Sequence, residues 1–218
     1  MSDAVRAFDA VASGYDSWYQ DPKGRLVFEA ERRAVEAMLP GSGVGVELGA
    51  GTGVFAESLT GGGRVVVCLD LSREMLERAR RRRLSSILAS VNALPIRPGV
   101  LDFAYMVTVM EFLPEPMNSF FEARSALRKE APLVCLFINA ESSWGALYAS
   151  MGKQGDPVFR HARLYTPGEV EGKLSGSGFD VAAAVGTLTT DPQDAEVGGE
   201  VIQVCSRAGV VIIKAARV

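Results

Sequence analysis

Glu47, Gly49, Gly51 and Gly53 are the densest group of residues whose types and spacing could do chemistry. They sit in VGVELGAGTGVFAESL, Val44 to Leu59: an apolar run holding one acid, glycines on alternate positions, then Phe55, Ala56 and Leu59 at helical spacing. An apolar run, a glycine turn and a helix start make a strand–turn–helix unit. Glycine permits positive φ and has no Cβ to hold a ligand off the backbone. The helix start behind it offers free N–H groups and partial positive charge. The unit reads as a cradle for a small ligand with a polar or anionic tail. Asp70 lies 21 positions after Gly49, at the end of the next apolar run. A carboxylate there can accept both hydroxyls of a ribose, which points to a nucleoside derivative. The dinucleotide pattern GxGxxG or GxGxxA is matched imperfectly, because its sixth position is Val54 where helix-on-strand packing prefers Gly or Ala. No GKS or GKT follows the glycines, so a P-loop is excluded.

These residues need elements to place them. Residues 1–40 read as two helices separated by an aromatic cluster, Tyr15, Trp18 and Tyr19, and a break at Asp21-Pro22-Lys23-Gly24. The aromatics either staple these helices to the body or roof the ligand site. Five apolar runs then alternate with helical patterns: Val44–Leu48, Arg64–Leu69, Ser85–Ala89, Val100–Val109 and Pro132–Ile138. Near-continuous apolar strands alternating with helices mean a parallel sheet covered on both faces, with the ligand crevice at the strands' carboxyl ends. Ser142 to Met151 reads as a short helix, and Thr166-Pro167-Gly168-Glu169 as a capping box. Phe179–Thr189 and Gly209–Arg217 read as an antiparallel pair. The fold class is α/β: a Rossmann-like, doubly wound, seven-stranded, mostly parallel sheet with an antiparallel C-terminal strand and N-terminal helices. The chain reads as a single domain, 1–218, with a helical cap over 1–40 and a substrate-lid insert over 140–165.

The 218 residues suffice for one α/β core, with 48% apolar and 22% charged side chains. A net charge of −3 argues against a nucleic-acid-binding body. The five arginines between Arg78 and Arg83 read as a solvated helix face. Cys68, Cys135 and Cys205 are widely spaced; the first two sit in apolar runs and read as buried strand residues, and no metal site is expected. With no membrane-length apolar stretch and no secretory start, a cytoplasmic location is expected.

VELGAGTG, VCLDLSREMLERAR and NALP, in that order, resemble motifs I, II and post-II of class I S-adenosylmethionine-dependent methyltransferases. FDAVASGYDSWYQDPKG is similar to the N-terminal segment of their ubiquinone/menaquinone-biosynthesis-type (methyltransferase type 11) branch, and the tail stretches SSWGALY, FRHARLYTPGEVEGKL and GFDV resemble uncharacterised members of that branch. The resemblance implies S-adenosyl-L-methionine as cofactor. It implies that Glu47 fixes the turn or faces the methionine amino group, and that Gly49, Ala50 and Gly51 bring backbone to the methionine portion. Asp70 would hold the ribose, Leu71 and Met75 would pack on adenine, and Asn92 and Ala93 would meet its edge. Thr108 would line the methyl-donor site, and Tyr15 and Gly24 would close over the cofactor. Two departures stand out: Asn92 where the family often has Asp, and Lys129-Glu130-Ala131-Pro132 in place of a glycine-rich turn.

Methyl transfer from a sulfonium mainly needs alignment and a dry cavity, and a general base only where the nucleophile is protonated. Glu111, after the fourth strand, and His161, the single histidine, are the candidates for that base, with Tyr19, Tyr148 and Tyr165 behind them. Aromatic and apolar residues near the expected mouth suggest a small, partly apolar substrate. No nucleic-acid partner is expected, and a homodimer is left open. The competing readings are a non-catalytic S-adenosylmethionine-binding regulator and an NAD-dependent oxidoreductase.

Overall fold

The computed structural model describes residues 2–194, 196–203 and 207–217. The N-terminal cap consists of α1 (Asp3–Val11), α2 (Ser17–Gln20) and α3 (Pro22–Met38). The body follows as β1 (Gly43–Leu48), α4 (Val54–Leu59), β2 (Arg64–Asp70), α5 (Arg73–Arg81), β3 (Ser86–Leu88), β4 (Phe103–Val107), α6 (Pro116–Ala126) and β5 (Pro132–Ile138). The last third holds α7 (Ser143–Lys153), α8 (Pro167–Gly176), β6 (Phe179–Thr187), β7 (Ile202–Gln203) and β8 (Val210–Arg217), with 3-10 turns at Met110–Phe112 and Phe159–His161.

The strands form one sheet in the order β3-β2-β1-β4-β5-β8-β6-β7. β1 to β5 are mutually parallel, and β8 runs antiparallel to both β5 and β6. The expected seven strands and their parallel-then-antiparallel arrangement are present. An eighth, two-residue strand pairs with β6, a segment too short to register as a strand pattern.

β5 shows why the sheet is covered twice. Its residues alternate between two cores: Leu133, Cys135 and Phe137 join one, while Val134, Leu136 and Ile138 join the other. Each such side chain contributes roughly 1.5–3 kcal/mol by leaving water. Cys68 and Cys135 are fully buried strand residues, as expected; Cys205 lies outside the described residues.

Local signals hold well. The Thr166 hydroxyl accepts from the Glu169 N–H, and the Glu169 carboxylate accepts from the Thr166 N–H, closing the capping box. The fourth strand is shorter than the apolar run suggests. It ends at Val107 because Thr108 turns to φ +49°, a left-handed conformation that no strand sustains. The order in which strands are added reverses at β1, with β2 and β3 on one side and β4 and β5 on the other, and this switch point is where an α/β sheet opens its crevice. Gly49 and Thr108, the residues that leave β1 and β4, both sit there.

Candidate functional site

Two cavities open above the carboxyl ends of the strands. The first, of about 390 Å³, is lined by Gly49, Gly51, Asp70, Leu71, Met75, Asn92 and Thr108 from the body and by Ser2, Val5, Phe8 and Tyr15 from the cap. The second, of about 420 Å³, is lined by Tyr15, Trp18, Tyr19, Glu31, Trp144, Tyr148 and Phe159 among others. Both volumes fall in the range of small-molecule sites. Phe8, Tyr15, Thr108 and Phe112 belong to both linings, so the cavities share a wall.

The floor of the first cavity is the glycine turn. Gly49 has φ +72°, and a Cβ there would lie 2.6 Å from Val109 Cγ2, so only glycine fits. Gly51 has φ +52° with open space where its Cβ would be, which leaves its backbone accessible. Asp70 clamps this turn to the next helix: Oδ2 accepts the Gly51 N–H at 2.7 Å and Oδ1 accepts the Ser72 N–H at 2.8 Å. Burial raises the Asp70 pKa above the ordinary carboxylate value despite these bonds. The start of α4 does not face the cavity. Gly53 packs against Leu84 and Ala79, and Arg82 from the end of α5 bonds the Thr52 carbonyl. The same Arg82 pairs with Asp16 and Glu57, so one member of the arginine run ties cap, turn and helix together.

α1 forms the roof. It buries no residue of its own, but Ser72 donates a hydrogen bond to Asp9 and Phe8 meets Phe112 edge-on at 4.9 Å. Of the cap aromatics, Tyr15 lines the first cavity and Tyr15, Trp18 and Tyr19 line the second, while Tyr19 also packs edge-on against Phe28 and Phe55.

Eight of the twelve expected cofactor residues reach the first cavity: Tyr15, Gly49, Gly51, Asp70, Leu71, Met75, Asn92 and Thr108. Four do not. Gly24 is where α3 packs on α2, and a Cβ would fall 1.9 Å from the Trp18 carbonyl oxygen. Glu47 points into the core, where it accepts the Tyr105 hydroxyl at 3.1 Å, and burial raises its pKa to about 8. Ala50 packs in the core with Phe55 and Leu59. Ala93 is exposed on its turn.

Neither candidate base lines a cavity. His161 accepts a hydrogen bond from the neighbouring Arg160 at 3.1 Å and faces away. Glu111 is buried; its Oε1 accepts the Ile138 N–H at 2.8 Å, beyond the point where β4 has ended, and its Oε2 has no partner. Burial raises its pKa to about 7. Tyr19 and Tyr148 line the second cavity, and burial lifts both pKa values, so both hold their protons at neutral pH. Tyr165 lies elsewhere, under Arg163 and Lys173.

Glu31 is the acid that sequence reading missed. It lines the second cavity, and burial together with nearby Glu111 raises its pKa to about 8. A signal was available: Val27, Glu31, Ala34 and Val35 share the buried face of α3, so an acid stands at an inward position.

The donor set of the first cavity suits an adenosyl sulfonium. Asn92 Oδ1 is buried with no partner, as an acceptor awaiting the amino group of a base would be. Asp70 is the one charged side chain in the lining, of the right sign for a cation.

Comparison with known proteins agrees. The methyltransferase-domain family model matches residues 46–135. An uncharacterized protein of Mycobacterium tuberculosis is 34% identical over 209 residues, spanning 94% of this chain and 71% of that one. A crystal structure of a SAM-dependent methyltransferase from Thermotoga maritima, described as a possible histamine N-methyltransferase, superposes with a TM-score of 0.89 at 27% identity over 99% of this chain and 100% of that one. The geranyl diphosphate C-methyltransferase of Streptomyces coelicolor, solved with S-adenosyl-L-homocysteine, shares the fold at a TM-score of 0.66 and 15% identity, over 87% of this chain and 79% of that one. Among the described residues no helix is long and apolar enough to cross a membrane, and no group of three or more metal-ligating side chains occurs.

Proposed function

The chain belongs to the class I S-adenosylmethionine-dependent methyltransferases, and on that premise we propose that it methylates a small molecule held in the second cavity. Its cofactor is S-adenosyl-L-methionine, which when bound supplies a methyl group already activated on a sulfonium. The observation that carries the substrate reading is the wall shared by the two cavities, Phe8, Tyr15, Thr108 and Phe112. A donor on one side and an acceptor on the other would meet across Thr108.

Each residue has a physical task in this reading. Asp70 accepts the ribose hydroxyls, Asn92 accepts the adenine amino group, and Leu71 and Met75 sandwich the base. Tyr15 and Phe112 exclude water at the junction. Thr108 places its backbone where the two ligands meet. A β-branched residue at φ +49° is costly, of order 1–2 kcal/mol, and such strain collects at functional positions. Trp144, Tyr148 and the segment up to Phe159 form the far wall of the acceptor chamber, which fits the substrate-side role expected of 140–165. Trp144 is fixed rather than mobile: its indole N–H donates to the Thr190 carbonyl at 2.9 Å. Holding two reactants in line can itself be worth about 7–11 kcal/mol.

Incubation with S-adenosyl-L-methionine carrying a labelled methyl group and a pool of metabolites tests the reading. Label should pass to a dialysable product. Label found only in protein or nucleic acid, or none transferred although the cofactor binds, would overturn it.

A further inference from the structure

Resting on that reading, we propose that the acceptor is a small organic amine which enters the second cavity as its ammonium ion, is met there by Glu31, and gives its proton to that carboxylate before the methyl group is transferred.

The wall of the second cavity is aromatic. Seven rings follow one another around the cavity: Tyr19 to Tyr15 at 6.1 Å between centroids, Tyr15 to Phe8 at 6.4 Å, Phe8 to Phe112 at 4.9 Å, Phe112 to Phe159 at 6.1 Å, Phe159 to Tyr148 at 4.4 Å, and Tyr148 to Trp144 at 6.4 Å. All seven line the cavity, and Trp18 joins them, 42% exposed. Ring faces carry negative potential and favour a cation within about 6 Å of their centroids. Lys23 already shows the effect at the rim, its ammonium 5.8 Å from the centroid of Trp144.

The floor adds one acid without a counter-ion. Three ionisable aliphatic side chains line the cavity: Lys23, Asp156 and Glu31. Lys23 donates to the carbonyls of Pro192 and Asp194, and Asp156 accepts the N–H groups of Val158 and Phe159. Glu31 has no hydrogen-bond or salt-bridge partner among the described residues and is only 9% exposed. Behind it Glu111 Oε2 is also unpartnered. An uncompensated buried acid costs stability unless a ligand completes it. An anionic ligand would add repulsion, and a neutral one would leave the acid as it is. A cation satisfies carboxylate and rings together. One carboxylate among rings is no metal site, so the cation is organic.

The chemistry balances. Glu31 accepts one proton from the ammonium nitrogen. The lone pair so freed forms the new N–C bond as the C–S bond of the sulfonium breaks, and that bond's electron pair stays on sulfur. The product leaves as a methylated ammonium ion, and the proton on Glu31 passes to water. A carboxyl whose pKa has been raised to about 8 by burial is suited to hold that proton. The groups facing it are Tyr15 and Tyr19, Tyr148 from α7, Glu111 and, at the rim, Lys23 and Asp156.

Calorimetry on the protein saturated with S-adenosyl-L-homocysteine tests this with matched probes: 2-phenylethylamine, 2-phenylethanol and 3-phenylpropanoate, with cyclohexyl and indolyl analogues of each. At least one amine should bind tenfold or more tightly than its matched alcohol and acid. Below pH 8 its affinity should rise nearly tenfold per pH unit, with one proton released. Glu31→Gln should abolish both the preference and the slope while binding S-adenosyl-L-homocysteine as before. Trp18→Leu, at a half-exposed ring, should weaken the amine several-fold and the alcohol much less. Amines binding no better than alcohols, or a preference that survives Glu31→Gln, overturns the amine assignment while the methyltransferase reading stands. Failure to bind S-adenosyl-L-homocysteine at all would instead strike the underlying reading.

Discussion

Replacing Asp70 by Asn should weaken the binding of S-adenosyl-L-homocysteine by about 30-fold to several hundred-fold. In the protein each carboxylate oxygen accepts one backbone N–H, from Gly51 at 2.7 Å and Ser72 at 2.8 Å, and keeps a further lone pair for a ribose hydroxyl. A hydrogen bond to a charged acceptor is worth about 1.5–3 kcal/mol. Two to one carboxylate are not additive, so about 2–4 kcal/mol is the expected loss, and about 1.4 kcal/mol is tenfold. Asn keeps one acceptor oxygen and turns an NH₂ toward the other backbone N–H, so Asp70→Asn should also lose about 1–3 kcal/mol of stability. Turn damage and lost ribose contacts are separated by the 2′,3′-dideoxy analogue. Against the native protein the analogue should bind as poorly as S-adenosyl-L-homocysteine binds to Asp70→Ala; against Asp70→Ala the two ligands should be equal. Because burial raises the Asp70 pKa, cofactor affinity should begin to fall above the ordinary aspartate range as pH is lowered. If the analogue binds the native protein as well as the parent, or Asp70→Asn stays within threefold, the assignment of Asp70 to the ribose is wrong.

Gly49→Ala should cost about 2–4 kcal/mol, because it combines φ +72° with a Cβ 2.6 Å from Val109; a melting temperature lower by less than about 4 °C would contradict this. His161→Ala should leave methyl transfer within twofold and stability within about 0.5 kcal/mol, since the imidazole reaches neither cavity; a tenfold loss of turnover would restore it as a candidate base.

Spacing and local chemistry made most of the architecture legible. The glycine turn, Asp70 and the alternation of apolar runs with helices placed the crevice correctly, because each depends on neighbours in sequence. The residues that lie away from the first cavity share a cause. Whether Glu47 turns outward to a ligand or inward to Tyr105 depends on strand parity within the assembled sheet, which the run VGVEL does not display. Gly24 looked like a ligand-facing glycine, but its need comes from the Trp18 carbonyl one helix away. Glu111 and His161 were drawn from position after a strand and from rarity, and neither property says where a side chain points. Glu31 was legible in principle as an acid on an apolar helical stripe. It escaped because its significance arises only when α2, the turn at Met110–Phe112 and α7 close around it.

The buried acids also make a prediction about stability, and its sign follows from proton counting. In the folded protein Glu31 and Glu47 ionise near pH 8 and Glu111 near pH 7, against 4.5 ordinarily. Below pH 4.5 both folded and unfolded chains hold these protons, so pH has no effect through them. Between 4.5 and about 8 the folded chain still holds protons that the unfolded chain has lost, so raising the pH favours unfolding. Each group can contribute up to about 1.36 kcal/mol per pH unit across its window, and relaxation of the site leaves an expected total for Glu31 of order 2–4 kcal/mol. Glu31→Gln should therefore melt within about 2 °C of the native protein at pH 5 and roughly 5–10 °C above it at pH 8. Scanning calorimetry at pH 5, 6.5 and 8 measures this directly, and a difference that is constant with pH, or shrinks as pH rises, would show that Glu31 is not held protonated by burial. A protein that gains stability on losing an acid it could replace with Gln keeps that acid for another reason. The amine supplies one: adding it at pH 8 should raise the melting temperature of the native protein and leave that of Glu31→Gln unchanged.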